Sequence, residues 1–185
     1  MALLTTPSCS FGSAAIDFKL LGVDGRHWTL ADCRGARGTL IMFICNHCPY
    51  VKAIHERLVA DCATLRELGI GVAAIMPNDT EEYPDDSYNN MQRYALDWHF
   101  EFPYLLDETQ EVARAYGAVC TPDFFGYDAN LKLQYRGQLD VGRPNAPPAP
   151  GYRHELVEAM RQIAETGRGP KEQAPSSGCS IKWRE

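Results

Sequence analysis

Apolar and polar positions alternate along the chain in two distinct periods, and those periods predict its elements. Residues 17–30 form two alternating runs around Asp24-Gly25, the pattern of a β-hairpin. Thr39-Leu40-Ile41-Met42-Phe43-Ile44 is unbroken, apolar and rich in β-branched and aromatic residues, so it predicts a buried strand. The next stretch changes period: Val51, Ile54, Leu58, Cys62 and Leu65 recur at helical spacing, with Lys52, Glu56, Arg57 and Asp61 on other faces. Gly69-Ile70-Gly71-Val72-Ala73-Ala74-Ile75-Met76 is a second fully apolar strand, as a parallel sheet covered on both faces requires.

Beyond it, Asp85-Asp86-Ser87 offers helix-capping chemistry ahead of Met91, Tyr94, Ala95 and Trp98. Phe102-Pro103-Tyr104-Leu105-Leu106 is a short strand. Asp107 or Thr109 then caps a helix through Val112, Ala113 and Tyr116, with Gly117 as its stop. Two strands around Phe124-Phe125-Gly126-Tyr127 and Leu131-Lys132-Leu133-Gln134-Tyr135 form a second hairpin. A Pro-rich connection over 141–151 leads to a terminal amphipathic helix over 152–166, carrying Leu156, Val157, Met160 and Ile163 on one face. The order hairpin, β, α, β, α, β, α, β, β, α predicts an α/β fold with a central, mostly parallel sheet and an antiparallel edge. The division that follows is a flexible arm over 1–15, one domain over 16–166, and a Gly/Pro/Ser-rich tail over 167–185 carrying Cys179.

Composition narrows the function classes. A chain of 185 residues is long enough for one core, and a net charge of −6 with scattered Lys and Arg argues against a nucleic-acid surface. No apolar run approaches the roughly 20 residues of a membrane span. The N-terminus lacks the basic segment of a signal peptide, so a cytoplasmic location is expected. Seven cysteines, an odd number at irregular spacing, favour redox or metal chemistry over a disulfide framework in that compartment.

The chemistry concentrates at Cys45-Asn46-His47-Cys48-Pro49, where the first buried strand hands over to a helix. Proline suits a first helical position, because its φ is already helical and its missing N–H is not needed there. Two thiols at such a junction lie where a thiolate is best stabilised. The alternatives are buried structural cysteines or half of a zinc site.

A strand, a C-x-x-C pair and a helix, followed about seventy residues later by Thr121-Pro122 opening a hairpin, resembles the thioredoxin fold. The added N-terminal hairpin and extra helix resemble its redoxin (AhpC/TSA-like) branch, which holds peroxiredoxin-like and TlpA/ResA-like proteins. More narrowly, Cys45-Asn46-His47-Cys48-Pro49-Tyr50-Val51-Lys52, Asn78-Asp79 with Tyr83-Pro84 and Asp86-Ser87, Val119-Cys120-Thr121-Pro122-Asp123, and Gly178-Cys179-Ser180-Ile181-Lys182-Trp183 resemble a peroxiredoxin-like group of that fold. The resemblance runs from about Asp17 to the C-terminus. It implies a central mixed sheet flanked by helices and a cis proline at Pro122 facing the thiols.

It implies thiol–disulfide exchange on protein or small-molecule disulfides. Cys45, the more exposed thiol and the one nearer the helix dipole, is expected as nucleophile, with Cys48 as resolver and His47 tuning the pair. A histidine before the second cysteine is similar to C-P-H-C of DsbA, and predicts a potential between those of thioredoxin (about −270 mV) and DsbA (about −120 mV). Thr121 and Pro122 are expected as the substrate platform, by addition of an extended partner segment. Cys179 and Cys120 are possible third thiols; Cys120 is equally readable as a packed cysteine, and the rival reading of Cys179 is an exposed tail cysteine. Tyr50, Asn78, Asp79 and Tyr83 are placed on the rim. Cys62 reads as core, and Cys9 and Cys33 have no assigned role. His55 and His99 read as surface or satisfied histidines.

No cofactor and no metal are assigned. The partners expected are a disulfide substrate and a thiol reductant of thioredoxin or glutathione type, without nucleic acid or membrane. Two rivals remain. A peroxidase would use Cys48 or Cys45 on hydroperoxide, but Cys45 stands where that chemistry places a threonine and no arginine takes the expected place. A copper- or zinc-binding module would use Cys45, Cys48 and a histidine.

Overall fold

A computed structural model describes residues 2–185. In chain order the elements are β1 (Leu3–Thr5), β2 (Lys19–Gly22), β3 (His27–Thr29), α1 (Leu30–Cys33), β4 (Gly38–Phe43), α2 (Pro49–Lys52), α3 (His55–Glu67), β5 (Ile70–Met76), a 3₁₀ turn (Pro84–Asp86) and α4 (Tyr88–Asp97). They continue with β6 (Tyr104–Leu106), α5 (Glu111–Tyr116), β7 (Cys120–Thr121), β8 (Asp123–Tyr127), β9 (Leu133–Tyr135), α6 (Glu155–Thr166) and β10 (Ser177–Ser180). Among the described residues, no helix is long and apolar enough to cross a membrane.

Seven strands form the main sheet in the order β3-β2-β6-β5-β4-β8-β9. The central β4 pairs in parallel with β5 and antiparallel with β8, so it is covered on both edges as well as both faces. That is why its six residues are all buried and its sequence is uniformly apolar. Alternation sorts the side chains: Leu40, Met42 and Ile44 meet α3, α4 and α6 on one face, while Ile41 and Phe43 meet α1 and α5 on the other. The hairpin around Asp24-Gly25 forms as expected, with β2 joined antiparallel to β6.

Three expectations are corrected. The helix expected from Val51 onward is interrupted: α2 ends at Lys52, and Ile54, at φ −114° and ψ −8°, starts α3 without a side-chain cap. The arm expected to be loose contributes β1, paired antiparallel with β10. The tail expected as a linker ends in β10, which pairs on its other edge with β7. Together β1, β10 and β7 make a second, three-stranded sheet. Small residues made the tail look like linker, yet close backbone packing is what small residues permit.

Candidate active site

β4 stops at Phe43, and Ile44 extends it by one more bond, its N–H donating to the Ile75 carbonyl at 3.0 Å. The chain then turns through Cys45, Asn46 and His47. Pro49 occupies the first helical position of α2, which makes Cys48 the N-cap residue. Cys48, and not Cys45, therefore adjoins the helix. Cys45 lies upstream of the helix and is 1% exposed, and Cys48 at the cap is 0% exposed. Neither thiol meets solvent directly.

Thr121 and Pro122 face the pair, as expected, and the bond between them is cis. Thr121 Oγ1 is 3.3 Å from Cys45 Sγ, and the Thr121 carbonyl oxygen is 3.1 Å from Cys48 Sγ. A protonated Cys48 donates to that carbonyl. The surroundings otherwise favour its charged form: the Cys45 and Cys179 thiols and the backbone N–H groups of Val51 and Cys179 all act to lower its pKa. Cys48 is accordingly lowered to about 5, with donation from Cys45 as the largest cause and burial opposing it. Cys45 moves well above its ordinary value, first because it is buried and then because it keeps the proton it shares with Cys48.

A buried carboxylate that sequence reading missed organises the turn. Asp86 Oδ1 accepts from the N–H groups of Asn46 at 2.8 Å and His47 at 3.3 Å. Its Oδ2 lies 2.6 Å from His47 Nδ1 and 2.7 Å from Asn78 Nδ2. Of the expected capping stretch Asp85-Asp86-Ser87, Ser87 holds the cap position of α4, without a side-chain bond. The carboxylate raises the His47 pKa, and the charge on Cys48 adds to the effect. The His47 ring stacks on Tyr83 at 5.6 Å. Asn46 is held by Tyr104, whose hydroxyl donates to Oδ1 at 2.9 Å. Tyr94, also missed, buries a hydroxyl without a partner, and burial with the nearby sulfurs raises its pKa.

The rim residues hold the C-terminus in place. Asn78 Oδ1 accepts from the Lys182 N–H at 2.9 Å, and Asp79 pairs with Arg184 at 3.0 Å. Lys182 Nζ lies over the Tyr83 ring, 5.8 Å from its centre. Tyr50 is half-buried. Cys179 faces Thr121 across the β7–β10 ladder and is 4% exposed. Burial and Cys48 push its thiol up to about 12. Cys120 faces Ser180 in the same ladder; its Sγ lies 3.6 Å from the Pro122 carbonyl, and burial raises its pKa. Cys62 is in the core, and Cys33 is buried with its thiol raised by desolvation. His55 Nδ1 is buried without a partner, so it is not the satisfied histidine expected.

Cys45, His47 and Asp86 each bring one donor atom, all within 4.8 Å of one another. A thiolate, an imidazole and a carboxylate suit zinc or copper. Against that use, the closest His47 nitrogen is already bonded to Asp86.

The sequence profile of the AhpC/TSA family matches residues 11–136. A conserved protein of Geobacillus kaustophilus, solved by crystallography, is similar over 100% of this chain and 97% of its own, at 45% identity and a TM-score of 0.93. The thiol-disulfide oxidoreductase ResA of Geobacillus thermodenitrificans is 26% identical over 130 residues, which is 66% of this chain and 66% of that protein's length. The thioredoxin domain of a thiol-disulfide oxidoreductase from Bacteroides vulgatus superposes with a TM-score of 0.58 at 17% identity, over 70% of this chain and 89% of that one. The strand–thiol–helix junction facing a cis proline, the mixed sheet flanked by helices and the profile match all agree: this chain has the thioredoxin fold and belongs to the AhpC/TSA family.

Proposed function

We propose that the protein is a thiol–disulfide oxidoreductase in which Cys48 is the attacking thiolate and Cys45 its partner. One observation carries this reading: Cys48 holds the N-cap position of α2 against the Thr121 carbonyl, and its thiol is lowered to about 5. The assignment inverts the roles expected from sequence, because the helix begins one residue after Cys48 and not at Cys45.

In the reaction, the Cys48 thiolate attacks one sulfur of a disulfide and expels the other as a thiolate. The Cys45 thiol loses its proton, and its sulfur attacks Cys48, releasing the second product thiol and leaving a Cys45–Cys48 disulfide. Two electrons pass to the substrate, and a thiol reductant of thioredoxin or glutathione type restores the pair. His47, held by Asp86, favours the Cys48 thiolate whenever its ring is protonated, which Asp86 promotes, and it positions the turn. Thr121 and Pro122 form the wall opposite the sulfurs. Substrates are protein or small-molecule disulfides, in keeping with the names of the ResA and Bacteroides relatives. A cytoplasmic location, argued from the sequence, belongs to the same reading.

The test is the initial rate of reaction with oxidised glutathione at neutral pH. Cys45→Ser keeps the first step, slowed as its Cys48 pKa rises, and Cys48→Ser loses it. Fast reaction in Cys48→Ser and none in Cys45→Ser would return the nucleophile to Cys45.

A second reading rests on the three donors Cys45, His47 and Asp86. Stoichiometric zinc or copper retained through purification, and lost in His47→Ala, would favour it. Peroxide reduction gains no comparable support: the buried Arg136 is committed to Asp123 at 2.9 Å.

A further inference from the structure

The edge of β7 where an extended partner would add is already occupied. β10 runs antiparallel along it, with Cys179 opposite Thr121. Thr121 thus approaches all three thiols: its hydroxyl meets Cys45, its carbonyl meets Cys48, and its backbone pairs with Cys179. The outer edge of β10 is covered in turn by β1.

We propose that Cys48 has two alternative disulfide partners within the chain, Cys45 and Cys179, and that β10 carries Cys179 into the place of a substrate strand. The proposal rests on Cys48 being the reactive thiolate.

Three features seat the strand. Gly178 passes so close to the cis peptide that a Cβ there would fall inside the contact distance of the Thr121 carbonyl. Ser176, before it, donates from Oγ to the Pro122 carbonyl at 2.8 Å. After it, Ile181 is buried, and Gln110 Nε2 donates to the Lys182 carbonyl at 2.7 Å. Anchored on both sides, Cys179 is delivered to Cys48 with its ordering entropy already lost, which gives it a high effective concentration. Cys48 and Cys179 are near enough that each shifts the other's pKa, Cys48 downward and Cys179 upward.

The steps balance. The Cys48 thiolate takes one half of a substrate disulfide and releases the other half as a thiolate. The Cys179 thiol gives its proton to that leaving group, and its sulfur attacks Cys48, expelling the remaining half. The Cys48–Cys179 disulfide holds the two electrons' worth of oxidation. Attack by Cys45 on Cys48 then moves that disulfide to Cys45–Cys48 and frees Cys179, with no net redox change.

The experiment compares full-length Cys45→Ser with Cys45→Ser/Cys179→Ser after treatment with oxidised glutathione. Trypsin places Cys48 in the peptide 38–52 and Cys179 in the peptide 172–182, so a disulfide between them appears as a crosslinked pair. The single variant is expected to lose two thiols, shed its glutathione and yield the crosslinked pair. The double variant is expected to keep glutathione on Cys48. If the single variant also keeps glutathione on Cys48, with Cys179 free, the proposal is overturned while Cys48 stands as the thiolate. If neither variant takes up glutathione, the Cys48 assignment fails and the proposal falls with it. Cys45→Ala, which leaves no hydroxyl in the buried position, is read the same way should the serine variants fold poorly.

Discussion

Asp86 Oδ2 lies 2.6 Å from Nδ1 of His47, and the same carboxylate accepts the N–H of Asn46 on its other oxygen. One buried side chain thereby fixes both residues between Cys45 and Cys48, and favours the charged form of the imidazole beside them.

Asp86→Asn should therefore lower the His47 pKa toward its ordinary 6.5, as read by NMR titration of the ring. Because the folded value is raised, the Asp86–His47 contact stabilises fully below 6.5 and is lost as pH rises through the folded value. The Tm advantage of the wild type over Asp86→Asn should shrink across that window. An unchanged His47 titration would show that the carboxylate does not hold the imidazole.

His47→Ala should make the pair more reducing. A charge that favours the Cys48 thiolate favours the reduced protein, and losing about 1.4 kcal/mol of that preference lowers the potential by ~30 mV. The wild-type potential is expected between about −270 and about −120 mV. A value at or below the thioredoxin end, unmoved by His47→Ala, would remove His47 from the tuning.

Gly178→Val should lift β10 from β7, since the added Cβ meets the Thr121 carbonyl. Overpacking of this kind costs about 1–3 kcal/mol. Alkylation of Cys48 by iodoacetamide should accelerate as the cover loosens, while amide exchange at 177–180 rises. Unchanged alkylation would mean that β10 does not control access to the sulfur.

Arg136→Ala should destabilise the domain by about 3–5 kcal/mol, because it leaves Asp123 buried and unpaired. Urea unfolding checks this, and the loss should ease at acid pH as Asp123, whose pKa burial already raises, takes up a proton.

The fold was legible where local pattern and tertiary environment coincide. The unbroken apolar runs of β4 and β5 announced strands covered on both faces, and Leu58, Cys62 and Leu65 on α3 reach the core as their spacing required. The cap of α2 was present in the sequence too: Pro49 at the first helical position makes Cys48 its cap, and the expectation for Cys45 came from following the thioredoxin pattern instead. Asp86 was not legible, since its partners Asn46 and His47 lie about forty residues upstream and a carboxylate before a helix looks like a cap. Nor was β10: its register against Thr121 is long-range, and Gly178 reads as flexibility until the backbone it must clear is seen.

The placement of the charge on Cys48 is tested most directly by ultraviolet thiolate absorbance, followed from acid to mildly alkaline pH. The account predicts a step at about 5 in the wild type, absent in Cys48→Ser and moved upward in Cys45→Ser, where the largest donor to the sulfur is replaced. A low step that survives in Cys48→Ser and vanishes in Cys45→Ser would contradict it.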